Sequence, residues 1–292
     1  MNAVPIWIHL RVDNIVTYLS EPGAAYPNPQ MYLWSVFFKI DGTLAHVHLS
    51  KTGWNLQGSA FVTTPGGGHG DLPGGVQASY EQLEKTPVPF SLGNYVTTLA
   101  PFPVPAFSGV TVGGMIVGWL GVLLYQEQTQ DNVVAAGLQS LRSGVLVELD
   151  ELIPTITNNN QTISPDNLSN AESQVTSQIE HAMENAASLG ERIEYILGDT
   201  SEDTFAGYAL QQFTYGDLMS APPQGIPIRA TITSGGTLDP HLYEFTFNGT
   251  VVAAPLPFSL RLILTSLGYA PPVSVRSVVG TPPSLLAWIE AM

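Results

Sequence analysis

The sequence predicts an α+β fold that is mainly β: an antiparallel β-sandwich with an inserted α-helical hairpin. Three observations carry this. Apolar and polar residues alternate over short stretches in the first and last thirds of the chain. Gly and Pro, 28 and 23 of 292 residues, punctuate those stretches. Between residues 131 and 198 the apolar spacing changes to the helical period. Short strands with frequent Gly/Pro turns favour a sandwich over a parallel α/β sheet. No Rossmann or Walker glycine pattern precedes a helix.

Ile6, Ile8, Leu10 and Val12 alternate with Trp7, His9, Arg11 and Asp13, the pattern of a half-buried strand. A Pro/Gly/Asn loop follows from Glu21 to Pro29. Trp34, Val36, Phe38 and Ile40 then alternate with Leu33, Ser35, Phe37 and Lys39, which puts Trp34 in the core. Asp41-Gly42 predicts a tight hairpin turn, because both central residues of such a turn need positive φ, with Leu44 to Leu49 as the return strand. Residues 65–75, rich in Gly and Pro, read as a surface loop. Extended pieces are expected near 86–99 and 102–106.

Residues 86–126 contain no charge, and Ser108 to Tyr125 is a mostly apolar run of 18 residues. That length just reaches a membrane helix. Its five glycines instead favour one or two buried strands, with Gly113-Gly114 as a turn. From 131, Val134, Leu138, Leu141, Val145, Leu149 and Leu152 recur at helical spacing, and Pro154 ends the helix. Ser164-Pro165-Asp166 starts a second helix that runs to Gly198. The short loop makes the two helices antiparallel neighbours.

Strand patterns return with Ile226, Ile228, Ala230 and Ile232, a turn at Gly235-Gly236, and Tyr243, Phe245 and Phe247. Asn248-Gly249 is a second hairpin signal. Leu285 to Met292 reads as a short final helix. The divisions are therefore 1–126, a β-rich sandwich portion; 127–200, the acidic helical hairpin; 201–254, a β-hairpin portion completing or adjoining the sandwich; and 255–292, a tail.

The formal charge is −15, and it is uneven. Residues 127–200 hold twelve acids and two bases, whereas 1–126 hold six and four and 201–292 hold six and three. Such a surface repels nucleic acid, and no nucleic-acid partner is expected. With no Cys, the chain has no disulfide, thiolate nucleophile or Cys-ligated metal. At 44% hydrophobic residues it is too apolar for a disordered chain. The start of the sequence lacks a basic region and an apolar stretch, so the expected location is cytoplasmic, or released without a recognisable signal peptide.

His46 and His48 lie two apart on a predicted strand and face the same way, a pair that would bind Zn²⁺ or Cu²⁺ if His9 or His69 supplied a third ligand. The plain reading is a wet strand face. Asp13, Glu21 and Asp41, or Asp199, Glu202 and Asp203, are carboxylates that would suit Ca²⁺, although solvated turn acids look the same. No cofactor is required by the sequence. His69, in its glycine loop with Asp71 two residues on, suggests a mobile base or ligand contact, but no nucleophile is placed beside it and Gly-x-Ser-x-Gly is absent. Trp54, in the loop-like stretch Lys51 to Asn55, is the tryptophan expected to make an exposed contact; a local packing plug is the alternative.

The stretch Tyr32-Leu33-Trp34-Ser35-Val36-Phe37-Phe38-Lys39-Ile40-Asp41-Gly42 resembles a motif in uncharacterised bacterial proteins with a similar layout: an N-terminal strand region, an uncharged strand, a helical pair and a β tail. The match covers about eleven residues and implies no active site. The surrounding arrangement is similar to C2-type sandwiches, which bind membranes or partners through their end loops. Three functions are compatible with these features. The first is a non-catalytic interaction or self-assembling protein, binding a protein partner or forming a homo-oligomer. The second is a membrane-active, pore-forming or toxin-like protein using 86–126. The third is a hydrolase or metal enzyme using His69, or His46 with His48.

Overall fold

Residues 4–19, 31–51, 53–65, 72, 83–107, 109–125, 131–158, 205–232 and 243–256 are described by the structure, a computed structural model. Before the helical layer come β1 (Ile6–Leu19), β2 (Met31–Ile40), β3 (Ala45–Ser50), β4 (Gly53–Gly58), β5 (Phe61–Thr63), β6 (Leu83–Pro87), the single turn α1 (Phe90–Gly93), β7 (Asn94–Leu99), β8 (Phe102–Pro103), β9 (Thr111–Val112) and β10 (Ile116–Tyr125). Then come α2 (Asp131–Leu152), β11 (Thr157–Asn158), β12 (Phe205–Thr214), α3 (Tyr215–Ser220), β13 (Ile226–Thr231) and β14 (Tyr243–Pro255).

The alternation in β1 places Ile6, Ile8, Leu10 and Val12 inward, as the period of two requires. A bulge between Val12 and Asn14 makes Asp13 the extra residue and keeps Ile15 inward. β1 pairs along one edge with β14, and along the other with β7 and then β6. β13 lies outside β14, completing an outer sheet in the order β13-β14-β1 with β6 and β7. The central sheet runs β12-β10-β2-β5. All strand pairs among the described residues are antiparallel. Strands from beyond the helical region thus complete both sheets: β14 pairs with β1, and β12 with β10.

The central sheet is covered on both faces, so β2 is buried at all ten positions rather than at every second one. Toward the outer sheet, Phe37 stacks on Tyr95 with ring centroids 5.0 Å apart, and Trp119 meets Phe247 edge-on at 4.9 Å. On the opposite face α2 packs close enough that a Cβ on Gly137 would lie 2.5 Å from the Trp34 ring. Leu138, Leu141, Val145 and Leu149 form the buried stripe of α2, and the helix ends at Leu152 ahead of Pro154. Asp150 fastens its far end, accepting from Ser59 Oγ at 2.8 Å and the Ala60 amide at 2.7 Å. β3, β4 and β11 form a small sheet whose Val47, Trp54 and Leu56 join the same core.

The uncharged run is β9, a bend with Gly114 at φ 96, and then β10, the strand bonded to both β2 and β12. The run is thus buried strand rather than membrane helix, as its glycines predict, and no described helix is long and apolar enough to cross a membrane. Its glycines make room for rings: a Cβ on Gly118 would overlap the Phe38 ring, and one on Gly121 the Trp119 ring.

Two hairpin expectations are corrected. Asp41-Gly42 does not join a β2–β3 hairpin: β2 pairs with β10 and β5, and β3 pairs with β4. Gly42 does not take positive φ. Its amide instead donates to the Ala100 carbonyl at 2.7 Å, tying the turn to the chain leaving β7. Asn248-Gly249 lies inside β14, which runs straight through it. There, Gly249 faces Val12 at the bulge of β1. The hairpin of the C-terminal third is β13 with β14, and its expected turn at Gly235-Gly236 lies outside the described residues. The second helix of the hairpin and the final helix also lie outside them.

Candidate interaction surface

The candidates drawn from sequence do not converge. Trp54 lies in β4, opposite Leu49 and Asn158, and is only 2% exposed. The expectation of an exposed contact is therefore corrected: its ring is a packing plug under the small sheet. His46 and His48 do share one face of β3, away from buried Ala45 and Val47. Their cross-strand neighbours are Gln57 and Asn55, and the described residues hold no group of three His, Asp or Glu that could ligate a metal. His9 is committed elsewhere, with Nε2 2.5 Å from Asn94 Oδ1. Asp13 pairs with Arg11, and Asp41 with Lys39, so each has its own cation. His69, Asp71, Glu21, Asp199, Glu202 and Asp203 lie outside the described residues.

A buried polar cluster that sequence reasoning missed sits at the end of β2. Lys39 and Asp41, with side chains 7% and 1% exposed, form an ion pair at 2.9 Å. Lys39 Nζ also donates to the Thr98 carbonyl at 2.8 Å and lies 5.8 Å from the centre of the Phe61 ring. Asp41 accepts from the amides of Thr43 at 3.1 Å and Ala100 at 2.9 Å, and from the Thr43 hydroxyl. Lys39 Nζ and both carboxylate oxygens of Asp41 thus each have at least two protein partners. The cluster ties β2, in the central sheet, to the end of β7, in the outer one. A signal did exist: opposite charges at i and i+2 in an apolar strand share one face.

Tyr95, stacked below this cluster, has its hydroxyl pushed up to about 12 by burial; the Thr97 hydroxyl pulls it down and the Asp41 charge adds to the rise. A folded-state value above the unfolded one, near 10, means the native fold holds the proton more tightly. That stabilisation is complete below about pH 10 and is lost as pH rises through about 12, at ~1.4 kcal/mol per unit. Relative to wild type, Tyr95→Phe should gain about 2 kcal/mol over that window in denaturant unfolding. A stability difference independent of pH would reject the assignment.

The outer face of the outer sheet carries no further layer among the described residues. Trp7, His9 and Arg11 point to it from β1, Val96 and Asn94 from β7, Lys85 and Leu83 from β6, and Arg229 from β13. Trp7 and His9 form a tilted ring pair with centroids 5.9 Å apart. Along the β6–α1–β7 edge, Leu83 is 72% exposed and Phe90 69%, with Val96 also exposed. Isolated exposed apolar residues are ordinary; three of them lie along this one edge. This face carries charges of both signs: Arg11, paired with Asp13, together with Lys85, Arg229 and Glu244.

Compared with protein-family models and with curated proteins, the chain matches none.

Proposed function

We propose that this is a non-catalytic interaction protein that docks a protein partner on the outer face of its outer sheet, along the β6–α1–β7 edge. The observation that carries this reading is the exposure of Leu83 and Phe90 on that edge. The exposed apolar side chains call for a partner with an apolar centre and a polar rim, because apolar burial holds such a contact while the rim stays wet.

The test compares immobilised wild type with a Leu83→Ser/Phe90→Ser variant of unchanged melting temperature. A partner retained at low salt by wild type should be lost from the variant, with at least a tenfold drop in affinity. Identical retention by the two proteins rejects the surface. Vesicle leakage by wild type would replace this reading with a membrane-active one for 86–126. That alternative requires β10 to leave hydrogen-bonded neighbours on both sides, which makes the docking reading the better supported.

A further inference from the structure

We infer that β12 is a pairing edge for the β12 of a second copy of this chain, forming a two-fold dimer with one sheet running through both molecules. This goes beyond the partner surface above and uses a different face, so the two fail separately.

An unpaired sheet edge presents a row of backbone donors and acceptors that will template another strand, and folds normally blunt such edges. The other end strands of the two large sheets are blunted. β13 carries Pro227 and Arg229, and β6 carries Lys85 and Pro87. Beside β7, the Thr98 carbonyl is taken by Lys39 and the Ala100 amide by Asp41. β5, at one edge of the central sheet, is only three residues long.

β12, at the other edge, has none of these devices. It is ten residues long, Phe-Ala-Gly-Tyr-Ala-Leu-Gln-Gln-Phe-Thr, with no proline and no charge. Among the described residues its ladder partner is β10 alone. At its middle, Leu210 pairs in register with fully buried Leu120, yet is itself 37% exposed.

The occupant follows from these facts. An antiparallel edge is self-complementary about a two-fold axis, so a second copy brings a preformed strand of matching length. Centring that axis on Leu210 sets the two leucines opposite each other, where directly opposed Cβ atoms lie about 5 Å apart, and covers both. The strand itself adds no like-charge contact, because residues 205–214 are uncharged while the acids concentrate in 127–200.

The absence of cysteine makes the test clean. Light scattering of wild type at tens of micromolar should give twice the 31.2 kDa chain mass. Leu210→Lys changes an exposed side chain and adds the charge that edge strands use as a guard. It should melt within a few degrees of wild type and raise the dimer dissociation constant at least tenfold. Leu210→Cys, as the sole thiol, should form an interchain disulfide on mild oxidation, whereas Val147→Cys, exposed on α2, should not. A wild type that stays monomeric overturns the inference. So does a dimer that ignores Leu210→Lys, and so does a dimer in which Leu210→Cys fails to cross-link. A monomer that instead captures a foreign peptide along β12 also overturns it.

Discussion

Asp41→Ala is expected to destabilise the fold by about 3–5 kcal/mol, the cost of leaving one member of a buried ion pair alone. Lys39 would keep the Thr98 carbonyl but lose its counter-charge in a site only 7% exposed. The amides of Thr43 and Ala100 would lose their acceptor at the same time. Lys39→Met should cost less than Asp41→Ala, because the aspartate keeps its amide donors. The double variant Lys39→Met/Asp41→Ala should cost less than the two single changes together, since it leaves no unpaired charge. Denaturant unfolding of the three variants reads this directly. A cost for Asp41→Ala below about 1 kcal/mol, the level of an exposed pair, would show that the cluster does not hold the sheets.

Gly249→Ala should cost about 3 kcal/mol, the upper end of the usual range for overpacking. A Cβ there would overlap the Arg11 carbonyl oxygen and lie 2.8 Å from the Val12 Cα. Both are backbone atoms at the bulge of β1, so neither can swing aside as a flexible side chain would. Relief requires the longest strand pairing among the described residues to open or shift its register. Gly216→Ala is the control. It sits in α3 with its nearest neighbour, Thr214 Oγ1, 3.7 Å away, and should be neutral or stabilising by up to about 1 kcal/mol. Equal melting temperatures for the two variants would refute the close-approach account of Gly249.

Periodicity was enough to read β1, the stripe of α2, the burial of β10 and the strands β13 and β14, because each buries a face whose spacing is set by backbone geometry. Turn chemistry misled twice. Asp41-Gly42 and Asn248-Gly249 are both pairs that favour hairpins, yet tertiary contacts decide what they do. Asp41 is drawn inward by Lys39 and Ala100, and Gly249 is small because β1 approaches it. Trp54 was misjudged for a related reason. Lys51 and Gly53 look like loop residues in sequence, but Gly53 opens a strand whose inner face is the core. The exposed edge at Leu83 and Phe90 had no local signal, since the layer that covers an apolar residue, or fails to, comes from elsewhere in the chain.

The order of strands also has a consequence for how the chain acquires its fold. β10 is flanked by residues 31–40 on one side and 205–214 on the other, and β1 joins residue 6 to residue 255. A nascent chain that has made the uncharged stretch 86–126 must extend by some eighty residues before β12 exists to cover the second edge of β10. At ribosomal speed that interval is on the order of ten seconds. Throughout it, an apolar strand is offered to the surroundings with one side open. Pairings this distant in sequence are slow to close, so the protein's hazard lies in its synthesis more than in its finished state. Its yield in a cell should depend on temperature and on chaperone supply more than its melting temperature would suggest.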